Sequence, residues 1–288
     1  MGSISIGRRR FLKLAAIGAV AATTADSVLL EPNLPQTVRR TIALQRWPER
    51  LSGFRIALLS DFHYDPLFSV HPLHASIDVV NRLKPDLIVL TGDFVSAPLF
   101  GRWAQKAAAA AEPCAELLKR MKCRFGSWAV LGNHDCYTDP ERVTAAIEAK
   151  GIKILINKSM AIEQDGVRFW LAGVDDCLGG TPDLDTTLKH VPRGEPTILL
   201  AHEPDYADWA KDYPVDLQLS GHSHGGQVRL PLMRPLYLPE LARKYISGLY
   251  QVGPLTLYTN RGLGTVGLPV RLNCPPEITL IEVQHASG

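Results

Sequence analysis

The sequence has few cysteines, and none are paired at the spacing of a zinc ribbon or a redox motif. Its five cysteines include no CxxC, and an odd number does not describe a disulfide framework. Cys136 and Cys177 both follow acidic loops and could be neighbours, so one disulfide stays open beside the preferred interpretation, inert thiols. The other three are Cys114, Cys123 and Cys274.

The chain also lacks an excess of basic charge. Its formal net charge is +2, and four of its 31 basic residues, Arg8, Arg9, Arg10 and Lys13, lie close to the N-terminus. Without these four, 27 basic residues stand against 29 acidic ones. Nucleic-acid-binding proteins normally show a basic face, so we expect no nucleic-acid partner.

No long hydrophobic run marks a membrane span. The apolar run Leu14–Ala22 is short and rich in alanine. It follows Arg8–Lys13, which resembles a twin-arginine export signal, so residues 1–25 are predicted to be a signal segment. A basic tail without function is the alternative. Export would place the protein in the periplasm, in the cell envelope or at a membrane.

Neither sequence repeats nor low-complexity segments divide the rest of the chain. Residues 26–36 contain Pro32 and Pro35 and are predicted to be a linker. With 46% hydrophobic residues, the remaining length can build a substantial core, so residues 37–288 are predicted to form a single domain.

What the sequence does contain is a series of apolar runs that end in polar residues. Continuous apolar runs indicate strands covered on both faces, which predicts a layered α/β sandwich. Helical spacing between them predicts helices over Leu73–Leu83, 103–121 and Pro140–Lys150, with Pro113 interrupting the second. Ligands of open α/β sheets bind beyond the carboxyl ends of strands. The main apolar runs are Phe54–Ser60, Asp86–Leu90, Ser127–Leu131, Thr197–Ala201 and Val215–Leu219.

The residues after these runs have side chains that bind metals. A mixture of carboxylate, amide and imidazole suits manganese, iron or zinc better than magnesium. Seven ligands are too many for one structural zinc, but they suit two ions that share a bridging carboxylate. Two such ions can clamp a phosphate. The candidate ligands are Asp61, His63, Asp93, Asn133, His202, His222 and His224.

Five motifs in a fixed order carry a resemblance to a known family. Asp-x-His, Gly-Asp, Gly-Asn-His-Asp, a lone His and Gly-His-Ser-His span about residues 55–227 and resemble the calcineurin-like metallophosphoesterase superfamily. The resemblance implies a four-layer α/β/β/α fold. Arg261–Thr265 and Cys274–Glu277 resemble a narrower group of exported or membrane-associated bacterial phosphodiesterases, of which some cleave the lipid A precursor UDP-diacylglucosamine.

The same resemblance assigns roles to the candidate residues. His134 would contact the phosphoryl oxygen or protonate the leaving group, and Asp135 would orient its ring. Asp93 would bridge two divalent ions of Mn, Zn or Fe. The first ion would be held by Asp61, His63 and His224, and the second by Asn133, His202 and His222.

These roles imply an enzyme that hydrolyses a phosphodiester or pyrophosphate of a small-molecule, cell-envelope or lipid-linked substrate, with metal-activated hydroxide as nucleophile. A phosphomonoesterase and a non-catalytic binder of phosphorylated envelope ligands are the alternatives. Arg261 is predicted to pair with phosphate or to form a structural salt bridge, and Asp176 to contact substrate or to stabilise a turn. The oligomeric state is not predicted.

The segment Arg229–Tyr250 combines apolar and aromatic residues with cations. Such a composition suits a membrane interface. Because the segment follows His222 and His224 directly, it is predicted to form a lip at the mouth of the site, in peripheral contact with a membrane. An arm folded over the domain's own core is the alternative. Pro231, Pro235 and Pro239 exclude a regular helix over its first half.

Overall fold

The computed structural model describes residues 7–98 and 104–286. It begins with a helix, α1 (Arg8–Ala25), which continues as a π turn over Asp26–Leu30 and a 3-10 turn over Glu31–Asn33. The first six residues of the predicted signal segment and Trp103, the start of a predicted helix, lie outside the described residues.

Two six-stranded sheets form the centre of the fold. The strands of the first sheet are β1 (Gln36–Leu44), β2 (Phe54–Leu59), β3 (Leu87–Thr91), β4 (Ser127–Val130), β5 (Lys153–Ile154) and β12 (Glu277–His285). Their spatial order is β1-β12-β2-β3-β4-β5. Strands β2 to β5 are parallel, whereas β12 is antiparallel to β2 and parallel to β1.

The second sheet has the spatial order β10-β11-β9-β8-β7-β6. Its strands are β6 (Lys158–Gln164), β7 (Val167–Gly173), β8 (Thr197–Leu200), β9 (Leu217–Ser220), β10 (Gly248–Val252) and β11 (Leu255–Thr259). Strands β7, β8, β9 and β11 are parallel, and the antiparallel strands β6 and β10 form the two edges.

Helices cover the outer face of each sheet. The helices α2 (Val70–Leu83), α3 (Ala104–Ala108), α4 (Ala111–Leu118), α5 (Asn133–Thr138) and α6 (Pro140–Glu148) belong to the first half of the chain, and α7 (Leu184–Leu188) and α8 (Ala207–Ala210) to the second. One core cluster joins α2, α4 and α6 to the first sheet, a second lies between the sheets, and a third joins α7 and α8 to the second sheet. The predicted four-layer α/β/β/α fold is confirmed.

Strand β2 shows how the sequence produces these layers. Ala57 and Leu59 pack in the cluster beneath the helices, whereas Ile56 and Leu58 pack between the two sheets. Because successive side chains of a strand point to opposite faces, a strand covered on both sides must be apolar at every position. The apolar runs seen in the sequence are therefore the inner strands of this sandwich.

The helix at the N-terminus and the segment after it differ from the expectation of a short apolar run and a linker. By length and composition, the continuous helix Arg8–Asn33 could cross a membrane, and a signal sequence meets the same criterion. Residues 26–36 are mostly helical, and the amide of Arg271 donates to the carbonyl of Ser27 at 2.9 Å. This segment is therefore fixed to the domain by a main-chain hydrogen bond.

Candidate metal centre

The carboxyl ends of the parallel strands of both sheets meet at one place. Strands β2, β3 and β4 bring the first motifs to this place, and β8 and β9 bring the last two. Six ionisable side chains predicted as metal ligands are buried there in two groups, within each of which the potential ligand atoms lie within 4.8 Å of one another. The groups are Asp61, His63, Asp93 and His224, and Asp93, His202 and His222.

Asp93 belongs to both groups. Its Oδ2 atom lies 3.3 Å from Nε2 of His63 and 3.3 Å from Nε2 of His202. On the far side of the first group, Nε2 of His224 lies 3.0 Å from Nε2 of His63 and 3.4 Å from Oδ1 of Asp61. One carboxylate thus stands between two sets of imidazoles.

Buried atoms without hydrogen-bond partners indicate that this cluster fits divalent cations. Oδ1 of Asn133 and Nε2 of His202 are both buried and unpartnered. A buried acceptor left unpaired is costly, whereas a cation would satisfy both atoms. Asn133, the seventh predicted ligand, lines the same cavity as Asp93, His222 and His224. The donor set of oxygen and imidazole nitrogen agrees with borderline first-row metals.

The second nitrogen of three imidazoles is fixed by a hydrogen bond. Nδ1 of His202 lies 2.5 Å from the carbonyl oxygen of Thr91, and Nε2 of His222 lies 2.8 Å from that of Glu240. Nδ1 of His63 lies 3.1 Å from the hydroxyl of Ser96. A ring that donates one N–H to a carbonyl keeps the lone pair of its other nitrogen free for a metal.

Burial and neighbouring charges favour the ligand forms of Asp93 and His224. Burial instead raises the pKa of Asp61, and the charge of Asp93, against the effect of burial, raises the pKa of His202 well above its usual value. Burial opposes ionisation of Asp93, but the adjacent imidazoles, His202 first, hold the pKa of this carboxyl well below its usual value. Burial also lowers the pKa of His224 well below its usual value. A carboxylate and a neutral imidazole are the forms that bind cations.

The loops that carry the ligands adopt strained backbone conformations. Five of the candidate ligands have φ between 40° and 65°, in the left-handed region that residues other than glycine seldom adopt. Such conformations cost about 1–3 kcal/mol each and cluster at functional sites. The five are Asp61, His63, Asp93, His222 and His224.

Two glycines of the motifs provide space. A Cβ atom at Gly132 would overlap Oδ1 of Asp93, and one at Gly221 would overlap Oγ of Ser60 and Oδ2 of Asp61. The backbone therefore approaches the carboxylates more closely than any other residue would allow.

His134 lies beside the cluster at the start of α5, with its ring edge-on to His63 at a centroid distance of 4.7 Å. Its Nδ1 atom accepts a hydrogen bond from the amide of Ala97 at 2.8 Å. The proton of the neutral ring is therefore on Nε2. Burial lowers the pKa of His134 to about 4.

Asp135 does not have the predicted contact with the ring of His134. Its Oδ1 accepts from the amide of Val95 at 3.1 Å and its Oδ2 from the amide of Gly132 at 3.0 Å. The carboxylate thus holds the loops after β3 and β4 together, and Ala97 orients the ring instead. Burial raises the pKa of Asp135 to about 7.

Neither residue predicted as a substrate contact reaches the cluster. Oδ1 of Asp176 accepts from the amides of Leu178 and Gly179, and the side chain is buried, with its pKa raised to about 9 by burial and then by the charge of Glu203. Asp176 therefore shapes a turn. Nε of Arg261 donates to Glu277 at 2.5 Å, which is the structural salt bridge left open above.

Arg271 has a role that no motif indicated. Its fully buried guanidinium donates to the carbonyl oxygens of Gly262 at 3.1 Å and Gly264 at 2.6 Å. The amide of Gly264 in turn donates to the carbonyl of Asp61 at 2.7 Å. Because these contacts involve main-chain atoms, a sequence pattern gives no signal for them.

The cysteines take no part in the cluster. All five are free thiols, and burial raises the pKa of Cys136 and of Cys177 far above the usual value. A thiol with a raised pKa is a poor nucleophile and a poor ligand.

Comparison with known proteins agrees with this geometry. The family model of calcineurin-like phosphoesterases matches residues 54–226. The uncharacterized metallophosphoesterase YkuE of Bacillus subtilis (strain 168) is 37% identical, with 98% of this chain and 99% of that protein covered. Phosphodiesterase YaeI of Escherichia coli (strain K12) is 32% identical, with 96% and 99% covered.

A vertebrate relative extends this similarity. A transmembrane protein with metallophosphoesterase domain from Danio rerio is 34% identical, with 88% of this chain and 58% of that protein covered. Residues 54–226, which the family model matches, contain both ligand groups and the strands that carry them. The chain belongs to the calcineurin-like phosphoesterase family and is a metal-dependent phosphoric ester hydrolase.

Proposed function

We propose that this enzyme hydrolyses a phosphodiester or pyrophosphate bond of a cell-envelope substrate at a centre of two divalent metal ions. The observation that carries the proposal is the position of Asp93 between the two ligand groups. Asp61, His63 and His224 would hold one ion, and His202 and His222, with Asn133, the other. Manganese, zinc or iron fits the donors.

Cations bound there would supply Lewis acidity, which polarises a phosphoryl oxygen and lowers the pKa of water. The protein's own contribution to bond cleavage is His134. Its neutral ring carries the proton on Nε2, since Nδ1 accepts from Ala97. That N–H can donate a hydrogen bond to a phosphoryl or leaving oxygen and stabilise the charge that develops there, while the main-chain amide keeps the ring in one tautomer.

The shape of the site favours a substrate with groups on both sides of phosphorus. His134 lines two cavities, of about 610 Å³ and about 520 Å³. The larger contains His222 and His224, and the smaller contains His63 and Asp65. A monoester would fill one cavity, whereas a diester or a pyrophosphate has a substituent for each. The relative YaeI is named as a phosphodiesterase, which supports the same choice.

An envelope location is part of the proposal. It is supported by the arginines at the start of the helix Arg8–Asn33, by the apolar character of this helix, and by the name of the transmembrane relative from Danio rerio. The domain that follows this helix would then act on the outer side of the membrane, whether the helix stays in the membrane or is removed.

The test uses chelated protein reloaded with manganese, zinc, iron or magnesium. We expect kcat/KM for methyl p-nitrophenyl phosphate to exceed that for p-nitrophenyl phosphate by at least about tenfold, a difference of about 1.4 kcal/mol in transition-state binding. Faster turnover of the monoester would identify a phosphomonoesterase. Metal binding without turnover of either ester would identify a non-catalytic binder.

A further inference from the structure

Apolar side chains form an exposed group at the mouth of the larger cavity, which we call the apolar rim. It consists of two loops, one after β9 and one after β11. Monomeric soluble proteins rarely expose contiguous apolar patches beyond a few hundred Å², and such patches mark interaction sites. The apolar rim contains Leu232, Met233, Leu236, Tyr237 and Leu268, which are between 59% and 107% exposed.

The apolar rim leads directly into the metal centre. Leu236, Tyr237 and Leu268 line the cavity of about 610 Å³ that also contains Asp93 and His222. Four apolar residues, Val228, Pro239, Val266 and Val270, lie in the wall between rim and centre, beside Ser223, Gln227 and two glycines. A long apolar substituent of a phosphate held at the centre would therefore lie along this wall and leave through the rim.

Hydrogen bonds hold the two loops of the apolar rim in place. The side-chain amide of Gln227 donates to the carbonyls of Val266 and Leu268, both at 3.1 Å, and its Oε1 accepts from the amide of Val266 at 2.9 Å. The guanidinium of Arg229 donates to Oγ of Ser247 at 2.8 Å. The exposed side chains of the rim are thus carried by loops that hydrogen bonds hold to each other and to the domain.

The apolar N-terminal helix ends on the same loop. The amide of Asn273 donates to the carboxylate of Glu31 at 3.0 Å, and Val28 and Pro32 share a small cavity with Pro269. Leu67 and Phe68, which are exposed apolar residues, line the same small cavity, and Leu29 and Leu30 of the helix end are exposed as well. A bilayer that contains this helix would therefore lie close to the apolar rim.

Positive charge accompanies the apolar side chains. Arg234 and Arg243 are exposed beside the rim, and neither forms an ion pair among residues 7–98 and 104–286. Unpaired cations next to exposed Leu and Tyr are typical of surfaces that meet lipid phosphates at headgroup depth.

We propose that the apolar rim docks on a lipid bilayer and that the cavity behind it receives the hydrocarbon chain of a lipid-borne phosphodiester. The first part of the proposal, docking on a bilayer, is supported by the rim, the helix end and the unpaired cations. The second part, the lipid-borne substrate, rests on the proposed function. Residues 229–241 would then be the part of the predicted lip 229–250 that meets the membrane, with the substrate drawn from the membrane into the centre without crossing water.

Docking is tested by fluorescence of the full chain in vesicles whose phosphatidylcholine and phosphatidylglycerol carry brominated acyl chains, which quench tryptophan. We expect the emission added by Tyr237→Trp to be quenched by at least about half, because an interfacial ring lies at the acyl boundary. Glu163→Trp, beside the β6–β7 turn at the opposite end of the second sheet, is the control and should be unaffected. Equal quenching at both positions, or none at Tyr237→Trp, would overturn docking.

A rim that is covered by a second copy of the chain would also overturn docking. It would appear as dimers, which the double variant Leu232→Ser, Met233→Ser would dissociate.

The substrate half is tested with two diesters that share one leaving group. One is the p-nitrophenyl ester of dioleoyl phosphatidic acid in vesicles, and the other is methyl p-nitrophenyl phosphate in solution. The double variant Leu232→Ser, Met233→Ser should lower the lipid-to-soluble ratio of kcat/KM at least about tenfold, since two apolar side chains leave the bilayer. The control Met160→Ser replaces an exposed methionine on edge strand β6 and should leave the ratio unchanged.

An unchanged ratio in the double variant would overturn the proposal. Absence of turnover of both diesters by the wild type would instead refute the proposed function, and the quenching experiment would still decide docking.

Discussion

At the scale of single residues, His134 differs from its neighbours in the cluster. The imidazoles of His202 and His222 bond to main-chain carbonyls and direct a free lone pair inward. His134 accepts from a main-chain amide and so presents a proton. The same side chain therefore provides a ligand at two positions and a hydrogen-bond donor at the third, and the main-chain partner decides which.

Replacement of His134 by Ala should separate these two roles. We expect metal content close to that of the wild type and a rate lower by about 10²–10³, the contribution of one positioned hydrogen-bond donor. The loss should be smaller for p-nitrophenyl esters than for alkyl esters, because a good leaving group needs less stabilisation of its negative charge. Metal analysis and kinetics on both ester types measure this. Loss of metal together with activity would show that His134 is a ligand.

The sequence predicted the site residues that lie at strand ends and failed for those that bind main chain. The structure brings all seven predicted ligands to one place because the motifs fix both residue type and position after a strand. Asp135 was given the wrong contact, and of the two roles left open for Asp176 the turn is the one observed, since a carboxylate that accepts from amides looks the same in sequence as one that faces substrate.

At the scale of elements, the loop after β11 is as important as the motif loops. Arg271 joins the carbonyls of Gly262 and Gly264, and this loop supports Asp61 from one side and carries Leu268 on the other. A fully buried guanidinium with main-chain acceptors fixes a loop that has no regular hydrogen bonding of its own.

The variant Arg271→Met tests this support. It keeps the length of the side chain but leaves several buried carbonyls unpaired, so the free energy of unfolding should fall by about 3 kcal/mol. Urea unfolding measures the change, with Arg193→Met, an exposed arginine, as the control that should stay within about 0.5 kcal/mol. Equal stability of the two variants would show that the loop holds itself without Arg271.

Elements with a continuous apolar run or a long amphipathic pattern were predictable, and short elements with a mixed pattern were not. The inner strands were predicted because burial on both faces leaves a continuous apolar run. The break in the helix over 103–121 was also predicted, and Pro113 does lie in the first turn of α4. Helices α5 and α7 and edge strand β10 were missed, since five or six residues carry too little periodicity.

At the scale of the whole molecule, the segment 229–250 shows why a composition can be interpreted in two ways. Its apolar residues suited a lip or an arm over the core, and only the tertiary structure distinguishes the two. Leu232 and Leu236 are exposed, which contradicts the arm for this part, whereas Ala242 is fully buried.

Replacement of Arg8, Arg9 and Arg10 by Lys together should retain the protein in the cytoplasm. Twin-arginine signals are read by a receptor that distinguishes arginine from lysine, although the charge is unchanged. Cell fractionation with an enzymatic marker for each compartment measures the outcome. The matched control is Lys13→Arg, which should leave export unaffected. Unchanged envelope localisation of the triple variant would mean that the helix is recognised by another route.

The most direct test of the account is the variant Asp93→Asn, because this one carboxylate belongs to both ligand groups. Metal content per chain and diester turnover are measured after reloading with metal, with Asp183→Asn, a helix cap outside the site, as the control. We predict two metal ions per chain in the wild type and in the control. In Asp93→Asn we predict loss of metal, a fold still cooperative in unfolding, and turnover lower by more than about 10²-fold, since even partners of metal ligands contribute that much. Two ions and near-normal turnover in Asp93→Asn would contradict the account.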